Sequence, residues 1–164
     1  MLGIGNGFQA LIKLGLVPYG DITVPDRDGP ALTRNVIGRH QAGYAYTRVA
    51  SVNSPWMNLC NVGDIHAIPI SHGEGRFTAS DDMLRILSAD GRIATQYTDS
   101  AGDPSMGISI NPNGSMMAVE GLFSPDGRVF GKMGFTERYG ENAAKNIYGS
   151  KHQPIFESGI NYFK

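Results

Sequence analysis

The sequence predicts an α/β fold with an antiparallel β excursion in its later part. Leu2 to Leu16, LGIGNGFQALIKLGL, sets Gly3, Gly5 and Gly7 between a short apolar strand and an amphipathic helix whose Phe8, Leu11, Ile12 and Gly15 share one face. Strand and helix patterns then alternate as far as the stretch that follows Ser80. Beyond Arg92 short strands crowd together, divided by Gly, Pro, Asn and Asp.

Pro18 to Pro30 is a connection dense in Gly, Pro and Asp. Tyr44 to Ala50 alternates as a half-buried strand does, and Asp64 to Ile70 is a second strand running into a Gly-rich turn at Ser71 to Gly75. Ser80 suits a helix N-cap, Asp81 and Asp82 its first turn, and Met83, Ile86 and Leu87 its buried face. Strands are expected at Ile93–Tyr97, Met106–Ile110, Ser115–Phe123 and Arg128–Met133. Turns at Asp99–Pro104, Asn111–Gly114 and Ser124–Gly127 link them as a meander. Pro154 to Lys164 adds a short helix, and residues 1–164 read as one, incomplete, domain.

Composition narrows the function. The 164 residues carry a net charge of −1, which gives no basic stripe for nucleic acid. Charges interrupt every apolar run short of a membrane span, and no export signal opens the chain. The single cysteine, Cys60, leaves no internal disulfide to form and fits a reducing cytoplasm.

The strand–turn–helix at Leu2 to Leu16 is the frame of a nucleophile elbow, in which the middle residue of G-x-Nu-x-G is aimed above the sheet beside a helix N-terminus. Here that residue is Gly5, which has nothing to attack with. The run Gly3-Ile4-Gly5-Asn6-Gly7-Phe8-Gln9 resembles the elbow of class I glutamine amidotransferases, G-x-C-x-G-x-Q. Further blocks resemble, in order, the glutaminase domain of phosphoribosylformylglycinamidine synthase: Gly38-Arg39-His40-Gln41, Ile70-Ser71-His72-Gly73-Glu74-Gly75-Arg76-Phe77, Asn111-Pro112-Asn113-Gly114-Ser115, Ser124-Pro125-Asp126-Gly127-Arg128 and Phe156-Glu157-Ser158-Gly159.

That resemblance implies a partial flavodoxin-like three-layer α/β sandwich of the class I glutaminase type. It implies glutamine hydrolysis feeding ammonia to ATP-dependent amidine formation in purine biosynthesis, with no cofactor and no metal. The family's catalytic cysteine falls at Gly5. Its catalytic histidine falls at Phe135, in Met133-Gly134-Phe135-Thr136-Glu137-Arg138, so Glu137 is the remnant of a triad. The substrate-binding positions would be Asn6 (one oxyanion amide), Gln9, Arg39 and the loop Ser71, His72 and Gly73. The family also places strands before the elbow; a sheet without them would expose an edge and favour self-association. Partners implied are glutamine, weakly bound, and a synthetase domain.

Three functions compete: a glutaminase portion without catalysis, a non-enzymatic glutamine-binding or synthetase-docking module, and a hydrolase relying on Cys60 or water. Cys60 lacks an elbow or helix start to lower its pKa and reads as a structural thiol. His66 reads as a partly buried structural residue and His152 as solvated. A dinucleotide fingerprint fails because its third glycine would fall at Phe8 and no acidic residue ends a second parallel strand at the right distance.

Overall fold

Gly3 explains how the chain begins. A Cβ there would lie 2.8 Å from the Gly7 backbone and press into the Leu11 side chain. Glycine therefore lets helix α1 (Asn6–Leu14) start hard against strand β1 (Leu2–Ile4). The computed structural model describes every residue except Pro25, Arg27 and Phe163; at those positions the expected Pro18–Pro30 connection and the tail helix lie outside the described residues. The remaining elements are β2 (Ala31–Arg34), β3 (Gln41–Val49), β4 (Ile65–His72), β5 (Glu74–Thr78), α2 (Asp81–Ala89), β6 (Ile93–Thr98), β7 (Val119–Phe123), β8 (Phe130–Lys132) and α3 (Ile155–Tyr162).

Six strands form one sheet in the order β1-β8-β7-β6-β3-β4, and β2 pairs with β5 in a second, two-stranded sheet. Every pairing is antiparallel except β1 with β8, where Leu2 lies beside Phe130 and Ile4 beside Lys132. Because side chains alternate along a strand, the sheet feeds two cores. Ile93 and Leu122 pack with Phe8, Leu11 and Ile12 of α1 and Leu84 and Leu87 of α2. Their neighbours Ala94 and Phe123 pack on the other face with Val49, Met57, Phe130 and Ile155 of α3. The result is the three-layer α/β arrangement expected, with β1 at one end of the sheet.

Several expectations need correction. Met106–Ile110 forms turns, with the Ile110 and Asn111 amides both donating to the Gly107 carbonyl. Its M-G-I-S-I alternation finds no partner because β6 is already paired on both edges, by β3 and β7. The strand expected from Ser115 starts at Val119, since Met117 and Ala118 hold left-handed backbone at φ 51° and 54°. In α2 the Ser80 hydroxyl accepts from the Met83 amide at 3.3 Å, as a cap should. The buried face, however, is Leu84 and Leu87, and Ile86 is 46% exposed. The Gly-rich stretch from Ser71 is mostly strand, with Gly73 alone joining β4 to β5.

Candidate active site

The elbow keeps its backbone. Gly5 sits between β1 and α1 at φ 57°, ψ −112°, a conformation that strains any L side chain, and its amide donates to the Lys132 carbonyl at 2.9 Å. The first intrahelical bond runs from the Gln9 amide to the Gly5 carbonyl. The amides of Asn6, Gly7 and Phe8 therefore have no acceptor within the helix, and no acidic side chain stands in the first turn. Those donors and the helix dipole favour negative charge at the mouth of the elbow.

Phe135 occupies the space above Gly5. A Cβ on Gly5 would lie 2.9 Å from Phe135 Cε1 and 3.1 Å from Cζ, closer than carbon atoms pack. The ring also stacks against the Arg138 guanidinium, 4.0 Å from the ring centroid. Beyond the ring a cleft of about 360 Å³ remains, bounded by Asn6, Gln9, Ser71, His72 and Gly73 together with His40, Glu74 and Met133. The structure thus brings together Gly5, Phe135, Asn6, Gln9, Ser71, His72 and Gly73. It leaves out two other expected residues. Arg39 is exposed outside this lining, and its neighbour His40 enters instead, with Nε2 3.0 Å from Ser71 Oγ. Glu137 lies on a 3-10 turn, half exposed, 3.9 Å from Arg138 Nε.

The cleft wall rests on buried amides. Asn35 donates through Nδ2 to the carbonyls of Arg39 at 3.1 Å and His72 at 2.8 Å. Its Oδ1 therefore faces His72 Nδ1, 3.3 Å away, and fixes His72 as the tautomer protonated at Nδ1. Burial holds the His72 pKa below its ordinary value, opposed in part by the Glu120 carboxylate. Asn113 donates through Nδ2 to the Gly75 carbonyl at 2.7 Å, which explains the side-chain choice in Asn111-Pro112-Asn113-Gly114-Ser115.

The other candidates lie elsewhere. Cys60 packs in the α3-side core, and burial pushes its thiol up to about 11, which leaves almost no thiolate near neutrality. His66 is buried, and desolvation, with the Lys132 charge adding, lowers its pKa to about 4. His152 is half exposed but not merely solvated, since Nε2 meets Glu157 Oε1 at 2.8 Å.

A model of the CobB/CobQ-like glutamine amidotransferase domain matches residues 1–163. The chain belongs to the CobB/CobQ-like glutamine amidotransferase domain family. Among similar proteins, the PurQ subunit of phosphoribosylformylglycinamidine synthase from Symbiobacterium thermophilum is 34% identical over 150 residues, covering 92% of this chain and 57% of that protein. The PurQ subunit from Salinibacter ruber is 33% identical over 162 residues, covering 99% and 62%. A solved structure described as PurLQS from Thermotoga maritima superposes with a TM-score of 0.70 at 28% identity, covering 99% of this chain and 61% of that one. The chain thus spans about six-tenths of the length of these relatives. In this chain the Phe135 ring stands over the turn between β1 and α1.

Proposed function

We propose that this chain is a glutaminase-type domain of the phosphoribosylformylglycinamidine synthase kind that does not hydrolyse glutamine. One observation carries the reading: the Phe135 ring stands within 2.9 Å of where a Gly5 Cβ would be. Amide hydrolysis at an elbow needs a nucleophile, a base to activate it and protonate the leaving ammonia, and amides to hold the oxyanion. Gly5 and Phe135 supply neither of the first two. A water placed over Gly5 would meet the ring rather than a base. Cys60, with its thiol pushed up to about 11 in the opposite core, is no substitute.

The domain's role on this reading is binding and docking, in the cytoplasm. The cleft of about 360 Å³ and its wall of Asn6, Gln9, Ser71, His72 and Gly73 favour retained, weak glutamine binding. A synthetase subunit is the partner we propose for docking, on the strength of relatives named as subunits of that synthase. The end position of β1 in the sheet supports self-association as a further outcome.

Glutamine-dependent ammonia release is expected to stay at the buffer rate. Release well above it, abolished by Cys60→Ser, would overturn the reading. Calorimetry with glutamine then separates the roles: heat of binding without ammonia supports a glutamine-binding domain, and none at millimolar glutamine leaves docking alone.

A further inference from the structure

Among the described residues, Glu120 on β7 and Lys132 on β8 are charged side chains with no exposed surface. Their closest approach is Nζ to Oε1 at 3.7 Å, too long for a hydrogen bond. Each reaches its short partners elsewhere. Glu120 Oε1 accepts from the Gly134 amide at 2.6 Å, and Oε2 accepts from the Thr95 hydroxyl. Lys132 Nζ donates to Thr136 Oγ1 at 2.5 Å and to Gln153 Oε1 at 2.8 Å, and the Thr136 hydroxyl donates to the same Gln153 oxygen at 2.9 Å.

Gly134 and Thr136 are the residues on either side of Phe135. The Phe135 amide itself donates to the Pro69 carbonyl of β4 at 2.9 Å. The turn is therefore gripped at three successive residues. The two outer grips are opposite charges that share one dry site. We propose that Glu120 and Lys132 form a positioning clamp that seats the Phe135 ring against Gly5.

A clamp of this kind accounts for charge in a place where apolar side chains would be easier to bury. A buried ion pair is often no more stabilising than hydrophobic residues of the same shape, and its best-attested use is to enforce one geometry among several. The rest of the turn is held by backbone bonds, the Met133 amide to the Glu120 carbonyl at 3.0 Å and the Phe135 amide to Pro69, and by Met133 in the core. Gly134 is backbone-permissive, and a Cβ there would come 2.9 Å from Glu120 Oε1, so the carboxylate sits directly under it. The inference rests on the proposed occlusion of the elbow only for its purpose; the clamp's geometry is independent of whether glutamine is hydrolysed.

The test reads the position of the ring rather than stability. In the full chain, nuclear Overhauser contacts between the Gly5 Hα protons and the Phe135 ring protons report the seating, and exchange of the Gly134 amide reports the grip. Glu120→Met with Lys132→Met removes both charges and both side-chain grips with little change of volume, so no unpaired charge is left inside. The expected result is loss of the Gly5–Phe135 contacts and exchange at Gly134 at least tenfold faster, with Leu122 and Gly131 unchanged. Thr136→Val removes one grip while keeping both charges, and should weaken the same contacts in a chain that folds normally. If both proteins keep the Gly5–Phe135 contacts and Gly134 protection, the pair is only a structural element and the proposal fails. Ammonia release plays no part in this readout, so failure of the occlusion reading and failure of the clamp are told apart.

Discussion

A cysteine placed at Gly5 alone should harm the protein, and a histidine placed at Phe135 with it should undo part of the harm. Gly5→Cys puts a side chain on backbone at φ 57°, ψ −112°, which costs about 1–3 kcal/mol. Its Cβ also lands 2.9 Å from Phe135 Cε1 and 3.1 Å from Cζ, and overpacking of this sort costs about 1–3 kcal/mol more. Phe135→His alone removes part of the ring's packing and its stack on Arg138, about 1–2 kcal/mol. In the double variant the backbone strain stays, but the overpacking goes. The two changes should therefore be less damaging together than their sum, by about 1–3 kcal/mol. Urea unfolding of the four proteins, followed by the fluorescence of the single tryptophan, Trp56, closes the cycle. Additivity to within about 0.5 kcal/mol would show that Phe135 does not fill the nucleophile's space, and the occlusion argument would fall with it.

Other predictions follow from neighbouring features. Gly131→Ala should lose about 2 kcal/mol or more, because the new methyl would press into the Phe8 ring, whereas Gly7→Ala, with open space around it in α1, should gain up to about 1 kcal/mol; thermal melts of the two will differ in sign. Cys60, with its pKa pushed up to about 11, should react with a disulfide reagent at pH 8 about a hundredfold more slowly in the folded chain than in urea. For His66 the folded pKa of about 4 lies below the ordinary 6.5, so the unfolded chain takes up a proton first as pH falls. Stability should thus decline from about pH 6.5 down to about pH 4, by about 3 kcal/mol at most, and His66→Gln should flatten that part of a urea-midpoint profile.

The elbow was legible because its requirements are local. Gly3 and Gly5 each answer a constraint within a few residues: close approach of the helix, and backbone at positive φ. The cap at Ser80 was readable for the same reason. Arg39 and His40 show the limit. Which of two adjacent residues enters a cleft depends on how the start of β3 pairs with β4, where Gln41 lies beside His72, and that register is not local. The strand expected at Met106–Ile110 failed for a similar cause, since alternation says nothing about whether a sheet edge is free. Glu120 and Lys132 did leave a trace, one charge inside V-E-G-L-F and another inside F-G-K-M. Only the pairing of β7 with β8, which sets Gly121 beside Lys132, turns those traces into neighbours. The resemblance alone aligns the family's thiol with Gly5 and its imidazole with Phe135; that the Phe135 ring stands over Gly5 is a matter of three-dimensional packing.

The pairing of β1 with β8 also sets an order of assembly. It lays residue 2 beside residue 130, while β3 with β4 and β6 with β7 join stretches much closer along the chain. Closing so long a loop has to wait for contacts of shorter range, so the elbow strand and α1 dock after the rest of the sheet is laid down. The same arrangement predicts that, in the finished protein, β1 and α1 open before the central strands. Amides at Gly5 and Gln9 should exchange through a partial unfolding that leaves Ile68 and Tyr97 protected. The part of the molecule with the tightest geometry is thus the part held in place last.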